Sequence, residues 1–239
     1  QGLEVAPSRK AVSESTASVE IALAHASRLL ATDPVLAGEQ AGEILKAVQD
    51  HPMALLLLGR SHAALGEARQ AAEVLRKLAG SQPQWALAQY ELGIALGRAG
   101  QGDEALAALR RALELKPDLP QAWLALGDHL TAVGDSVGAA EAYARHVRHS
   151  IGDPALMAAA AALHENRLPE AEQRLKQHLY RSPTDVAAMR MLAELAVRIG
   201  RNEEAERLLG RALELAPGFR EARQNLALVL YRGNQPDEA

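Results

Sequence analysis

The 239-residue sequence is 48% hydrophobic but only 3% aromatic, and its formal net charge is −4. The hydrophobic content excludes disorder over most of the chain, and its alanine and leucine favour helices over sheets. The acidic balance argues against nucleic-acid binding, and the lack of cysteine excludes disulfides, thiolate nucleophiles and cysteine-bound zinc.

Localisation is predicted from the apolar runs and the first residues. No apolar run reaches the roughly 18 residues of a transmembrane helix, and the start lacks the apolar centre of a signal peptide. We therefore expect a cytoplasmic protein with no membrane partner, and the lack of cysteine fits a reducing compartment. Because the sequence begins with Gln1 and not with Met, earlier removal of a leader stays open.

The first elements in chain order are less regular than the rest. Residues 1–17 are predicted to be an N-terminal segment without regular structure. Residues 18–51 are predicted to form a degenerate helical hairpin, whose second helix starts at the Asp33–Pro34 pair.

From residue 52 onward the sequence repeats itself. Aligned segments begin at Pro52, Ala86, Pro120, Gly152, Val186 and Arg220, with steps of 34 residues except for one step of 32. The predicted repeats are 52–85, 86–119, 120–151 (short), 152–185, 186–219 and an incomplete repeat, 220–239. Because the sequence stops at Ala239, where the last repeat's second helix is expected to begin, we expect a piece of a longer protein.

Each repeat is predicted to be a hairpin of two helices, called helix A and helix B. Position 8 is always small: Gly59, Gly93, Gly127, Ala159, Ala193 and Ala227. Position 20 is always alanine: Ala71, Ala105, Ala139, Ala171, Ala205 and Ala239. Between them lies a residue suited to a left-handed turn: Gly66, Gly100, Gly134, Asn166, Gly200 and Asn234. Small residues on both helices allow their backbones to approach closely.

Together with bulky residues around position 8 and a proline near the repeat end, this pattern resembles the tetratricopeptide repeat (TPR). The resemblance implies an all-α, right-handed solenoid of about thirteen helices, with helices A lining a concave groove that binds a protein or peptide. It also implies that positions 2, 5, 9, 12 and 13 of helix A face this groove. The predicted groove residues are Met53, Leu56, Arg60, Leu87, Tyr90, Ile94, Arg98, Leu124, Asp128, Leu156, Arg190, Glu194, Arg198 and Gln224.

The predicted groove is mainly apolar in the first repeats and more charged in the later ones. TPR domains that clamp a C-terminal carboxylate use Lys and Asn at positions 5 and 9, which no repeat here provides, so we predict no such clamp. An alternative stays open for the apolar groove residues: they pack against neighbouring helices or an adjacent domain.

Catalytic and metal-binding patterns are not evident. His146 and His149 have a spacing that could present two imidazoles to a metal, but Arg145 and Arg148 beside them would repel a cation. We interpret the cluster as a basic helix end that complements the helix dipole. No Ser–His–Asp set or phosphate-binding glycine loop is apparent, so we predict no catalytic residue, metal or cofactor in this sequence.

Several stretches are similar to the N-terminal repeats of bacterial TPR–sulfotransferase fusion proteins, among them LLATDPVLAGEQAGEIL, HENRLPEAEQRLKQHL and SPTDVAAMRMLAELAVRIGRNEEAERLL. In that family, a sulfotransferase domain that uses 3′-phosphoadenylyl sulfate follows the repeats. The resemblance implies that these repeats recruit a protein substrate for that domain, or self-associate through the uncapped last helix. The alternative is a free-standing adaptor that assembles a protein complex.

Overall fold

The computed structural model describes residues 9–233. This range contains thirteen α-helices and no β-strand, which confirms the predicted all-α class and helix number. The described residues form two compact units, with the boundary between Leu115 and Lys116.

Unit 1 contains six helices, each packed against the next along the chain. They are α1 (Arg9–Leu29), α2 (Pro34–Ala47), α3 (Pro52–Ala64), α4 (Ala68–Ser81), α5 (Ala86–Arg98) and α6 (Gly102–Leu115). Helix α1 starts at Arg9, so residues 9–17, predicted to lack regular structure, are helical. Because no proline or glycine interrupts the sequence between Pro7 and Pro34, the helix begins earlier than the predicted residue 18. Residues 1–8 lie outside the described range.

Unit 2 contains seven helices. They are α7 (Pro120–Ala132), α8 (Ser136–His149), α9 (Pro154–His164), α10 (Leu168–Arg181), α11 (Val186–Arg198), α12 (Asn202–Leu215) and α13 (Arg220–Gly233). In the fourth repeat, helix A begins at Pro154, two residues after the predicted start, because Ser150–Gly152 form a 3-10 turn. The Asp153 carboxylate then caps α9 by accepting hydrogen bonds from the backbone N–H groups of Ala155 and Leu156.

The turns inside the hairpins have the predicted left-handed backbone. The φ angles are +79° at Gly66, +79° at Gly100, +82° at Gly134 and +78° at Gly200, and Asn166 reaches 58°. These residues end each helix A and let the chain reverse into helix B. The equivalent Asn234 lies outside the described residues, as does Ala239.

Close contact between helices A and B depends on position 8. A Cβ atom on Gly59 would lie 2.6 Å from Cγ of Leu75, and one on Gly93 would lie 2.7 Å from Cγ of Leu109. A Cβ atom on Gly127 would lie 2.7 Å from the ring of Tyr143. The absence of a side chain therefore admits the large residue of helix B. The described position-20 alanines are all buried, as predicted.

Candidate functional site

The predicted groove residues of unit 1 lie on α3 and α5. Met53 and Arg98 are exposed, while Leu87, Tyr90, Ile94 and Arg60 are half-buried. Leu56 is only 1% exposed and belongs to the same buried cluster as Ala88 and Leu92 of α5. For Leu56 the structure therefore shows packing against the neighbouring helix, which leaves no surface for a partner.

One ion pair crosses the helix-A surface of unit 1. Nε of Arg60 on α3 donates to Oε1 of Glu91 on α5 at 2.8 Å. Burial, together with the negative charge of Glu91, raises the pKa of the neighbouring Tyr90 to about 12. The Tyr90 hydroxyl thus keeps its proton to a higher pH than an exposed tyrosine does.

In unit 2 the predicted groove residues fall into two groups. Leu124 and Leu156 are buried, and Leu156 belongs to a core cluster with Ala187 and Met191 of α11. Asp128 is exposed, but its carboxylate accepts a hydrogen bond of 2.8 Å from the Tyr143 hydroxyl on the helix B of its own repeat. The others, Arg190, Glu194, Arg198 and Gln224, keep at least part of their surface exposed.

A cavity of 510 Å³ opens among α8, α9, α11 and the start of α13. Its wall is largely apolar, and Met157 is 57% exposed within it. The lining residues are Val147, Arg148, Ser150, Leu156, Met157, Ala160, Ala187, Arg190, Met191, Phe219 and Glu221. Leu156, Ala160, Arg190 and Glu221 are predicted groove positions of three successive helices A, and all four line this cavity.

A second cavity, of 310 Å³, adjoins the first at Arg190 and lies among α11, α12 and α13. Its apolar lining includes Val197, Val229 and Leu228, which is 56% exposed. Arg190, Glu194, Arg198 and Arg232 also line it. Gln224 lines neither cavity, although it lies on α13 beside Asn225, which does line the second. We call these two cavities together the α9–α13 groove.

The charged side chains of this groove carry a positive surplus. Glu194 is shared by two arginines: its Oε2 lies 3.3 Å from Arg190, and its Oε1 lies 2.7 Å from Arg198. Arg198 also donates to the backbone carbonyl of Leu163 at 2.8 Å. Arg148 and Arg232 form no ion pair with any carboxylate within residues 9–233.

A buried polar cluster lies behind the first cavity. Asp185, which is 2% exposed, caps α11 by accepting hydrogen bonds from Ala187 and Ala188. His146 on α8 lies 3.1 Å from one carboxylate oxygen, and His178 on α10 lies 2.7 Å from the other. Nδ1 of His146 faces the carbonyl of Pro120 at 3.0 Å. Both nitrogens of His146 thus face oxygen atoms, the Asp185 carboxylate on one side and the Pro120 carbonyl on the other.

Asp185 and His178 shift each other's titration. Burial pushes the pKa of Asp185 up, but hydrogen bonds from His146 and His178 outweigh it, and the pKa lies well below its ordinary range. The hydrogen bond with Asp185 raises the pKa of His178 above its ordinary value. The carboxylate is therefore held ionised in the core by its histidine partners.

Sequence reasoning missed this cluster, although a signal was present. His146 and His178 both occupy position 27 of their repeats, where the other repeats have Leu78, Ala112 and Ala212. Histidines at one register position in consecutive repeats lie on neighbouring helices B. His146, Arg148 and His149 do lie in the last turn of α8, as interpreted from the sequence, but the His146 side chain is buried against Asp185, which the sequence interpretation did not include.

Ser150 joins His146 and Asp185 in space but does not complete a catalytic triad. In a triad, the serine and the aspartate bind opposite nitrogens of the histidine ring. Here Asp185 faces Nε2 and Pro120 faces Nδ1, and the Ser150 Oγ lies 3.2 Å from Nε2 and 3.3 Å from Nδ1, so it does not bind the nitrogen opposite the carboxylate in preference to the other. The Ser150 hydroxyl donates instead to the backbone carbonyl of His146 at 2.6 Å. Among the described residues, no group of three or more histidine, cysteine or acidic side chains is placed so that it could hold a metal ion.

The outer surface of α13 is partly apolar. Leu226 and Leu230 line a depression against α12, together with Glu206, Arg207 and Gly210. Leu230 is 44% exposed, and Leu226 is half-buried. Among those residues, no helix is both long and apolar enough to cross a membrane.

Comparison with solved structures identifies the same type of fold. A crystal structure of the MamA protein matches with a TM-score of 0.54 and 20% identity, covering 92% of this chain and 96% of that one. YrrB, described as a TPR protein with an unusual peptide-binding site, matches with a TM-score of 0.52 and 17% identity, covering 90% of this chain and 95% of that one. At these identities the likeness shows the fold alone.

A third solved structure is a mutant of the O-GlcNAc transferase of Thermobaculum terrenum. Its TM-score is 0.53 and its identity 26%, over 61% of this chain and 27% of that one. No curated protein sequence matches this chain.

Family models give the assignment. Three models described as tetratricopeptide repeat match residues 52–77, 90–154 and 162–217, which together make up more than half of the chain. Their spans follow the hairpins α3 to α12, with the small residues and left-handed turns described above. The chain belongs to the tetratricopeptide-repeat family.

Proposed function

We propose that this chain is a protein-binding scaffold that holds a segment of a partner protein on its helix-A surface. The observation that carries the proposal is the α9–α13 groove, where groove positions of three successive helices A line open cavities. Apolar walls with a few converging charged groups are typical of sites that bind peptides or small molecules. The peptide-binding site named for YrrB supports the same use of this fold.

Site-specific photo-crosslinking tests which surface binds. Ala160 is exposed in the first cavity and is replaced by a photoreactive phenylalanine analogue in cells that produce the protein. The matched control carries the analogue at Gln177, which is exposed on the helix B α10 and lines neither cavity. We expect a partner, identified by mass spectrometry, to be crosslinked from position 160 alone. The same partner crosslinked equally from both positions would contradict the proposal.

A more specific proposal is that the repeats belong to a larger bacterial sulfotransferase-type protein in the cytoplasm. There they recruit its substrate or self-associate. This proposal is supported by the stretches similar to TPR–sulfotransferase fusion proteins, and the lack of cysteine fits that compartment. The O-GlcNAc transferase structure matches this chain over only 27% of its own length. It is therefore an example of helices of this type within a larger enzyme. The gene sequence beyond Ala239 tests the proposal, because a continuation without a sulfotransferase-like segment would contradict it.

The sulfate donor of that family, 3′-phosphoadenylyl sulfate, has no fitting site among the described residues. Phosphate-binding loops of nucleotide enzymes lead from a β-strand into a helix, and residues 9–233 contain no strand. We therefore assign none of these residues to the donor, which would be bound by the additional domain.

A free-standing adaptor is the second candidate, and the same groove supports it. The two candidates differ in what the partner is: a sulfated substrate for the enzyme, or a component of a stable complex. Sulfate analysis of the protein crosslinked at position 160 separates them, since sulfation is expected only in the first case.

Self-association through α13 is a further part of the proposal. Leu226 and Leu230 offer an apolar row on which a second copy would pack. Sedimentation of Leu230→Glu beside the unchanged protein tests it. Equal molecular mass for both at the same concentration would contradict self-association through this row.

A further inference from the structure

We propose that the α9–α13 groove selects an extended peptide segment in which one acidic residue lies between two bulky apolar residues. This inference rests on the proposed protein-binding function and names the chemistry of the partner. It follows from the two cavities, the charges between them and the side-chain spacing of an extended chain.

The first cavity provides one apolar anchor site. Met157 lies exposed at its opening, and Met191 and Phe219 are buried in its wall. A volume of 510 Å³ accommodates a large aliphatic or aromatic side chain. Methionine side chains adapt their shape, so this wall can fit different bulky residues. Burial of such a side chain contributes the non-directional part of the binding energy.

The second cavity provides the other apolar anchor site. It is smaller, at 310 Å³, and Val197, Leu228 and Val229 form its apolar lining. Because Leu228 is 56% exposed in the absence of a partner, an aliphatic side chain placed here would remove apolar surface from water on both molecules.

Charge complementarity selects an acidic residue for the position between them. Arg148 and Arg190 line the first cavity, and Arg190, Arg198 and Arg232 line the second, whereas Glu194 and Glu221 are the acidic residues of the two linings. Four arginines against two glutamates leave a positive surplus on a chain whose net charge is −4. This positive surplus would repel a basic peptide and attract an acidic one.

Arg190 is the residue that both cavities share. Its present contact with Glu194 is 3.3 Å long and partly solvated, and such pairs contribute little energy. The guanidinium can therefore turn to a peptide carboxylate, which it is shaped to bind through two hydrogen bonds. Alternate side chains of an extended peptide point the same way at about 6.8 Å intervals. If a peptide carboxylate lay over Arg190, the side chains two residues before it and two residues after it would point the same way. One of them would be directed towards each cavity.

The experiment is selection from a random peptide library displayed on phage, with the full chain immobilised. The enriched sequences are expected to share the pattern apolar, any, acidic, any, apolar. Synthetic peptides with the enriched pattern are then titrated by fluorescence anisotropy against the unchanged protein, Arg190→Glu and Arg110→Glu. Arg110 is exposed on α6 and lines neither cavity of the groove, so it controls for overall charge.

We expect Arg190→Glu to weaken binding by about tenfold or more, because it replaces an attraction with a repulsion, and Arg110→Glu to leave it unchanged. Circular dichroism confirms that both variants fold. This inference would be overturned if the enriched peptides had another pattern, or if Arg190→Glu bound them as tightly as the unchanged protein. In both cases the proposed protein-binding function would stand. A pattern matching a segment of this chain would overturn the inference in favour of a second copy. Failure to enrich any peptide would contradict both.

Discussion

His146 Nε2 lies 3.1 Å from Asp185 Oδ1, and both side chains are buried. The carboxylate also contacts His178 at 2.7 Å and caps α11, so Asp185 connects α8, α10 and α11. An ionised carboxylate without partners is costly to bury, so the two histidines and the helix cap are what stabilise Asp185 in this alanine- and leucine-rich core.

Removal of the Asp185 carboxylate should strongly destabilise the protein. Asp185→Ala breaks the buried pair and the helix cap together, and we expect the free energy of unfolding to fall by about 3–5 kcal/mol in urea denaturation. The matched control is Asp135→Ala, which removes an exposed cap that accepts a hydrogen bond from Gly138. Its cost should be about 1 kcal/mol. Equal losses for the two variants would show that the buried pair contributes nothing beyond the cap.

Stability should be greatest in mildly acidic solution. Because the folded pKa of Asp185 is lowered, its contribution is complete above its ordinary value near about pH 4 and is lost as the pH falls through the folded pKa. Because the folded pKa of His178 is raised, its contribution is complete below about pH 6.5 and is lost as the pH rises through the folded pKa. The two windows overlap between about pH 4 and 6.5.

Urea denaturation across about pH 5 to 8 measures this dependence. His178→Gln should flatten the decline on the alkaline side, while His149→Gln, which changes an exposed histidine, should keep it. Besides Asp185, the charges that act on His178 are Asp153, which raises its pKa, and Arg181, which lowers it. If the stability of His178→Gln falls with rising pH as steeply as that of the unchanged protein, groups other than His178 cause the decline.

Two glycine substitutions should have opposite effects. Gly127→Ala would place a Cβ atom 2.7 Å from the Tyr143 ring, which is held by the hydrogen bond from its hydroxyl to Asp128. We expect a loss of about 1–3 kcal/mol from overpacking. Gly210→Ala lies inside α12 with no atom within 4 Å of its Cβ, so we expect a gain of up to about 1 kcal/mol from helix propensity. Thermal unfolding of both variants measures these effects, and a loss in both would contradict the packing explanation.

The helices could be predicted from the sequence because local signals define them. Prolines, left-handed glycines and Asn166 mark helix ends, and the small position-8 residues identify the faces in contact. The start of α1 could not be predicted, because residues 9–17 carry no cap or apolar stripe. The Asp185 cluster depends on contacts among three helices, and no single segment indicates it.

The candidate site was predictable only in part. Of the groove residues predicted from the repeat register, Leu156, Arg190, Glu194 and Arg198 line two adjoining cavities, and their role in binding a partner stays a prediction. The register does not reveal which position-5 side chains a neighbouring helix covers. Leu56 is buried because α5 packs over it, whereas Arg190 stays half-exposed because its long side chain reaches towards solvent.

Methionine methyl resonances offer the most direct measurement of partner binding in the α9–α13 groove. The sequence has four methionines: Met157 and Met191 line the first cavity, Met189 is buried elsewhere on α11, and Met53 is exposed on α3 in unit 1. With carbon-13 methyl labelling, titration with a partner segment should shift the Met157 and Met191 signals and leave those of Met53 and Met189 in place. Shifts confined to Met53, or no shift at a saturating concentration of partner, would contradict binding in this groove.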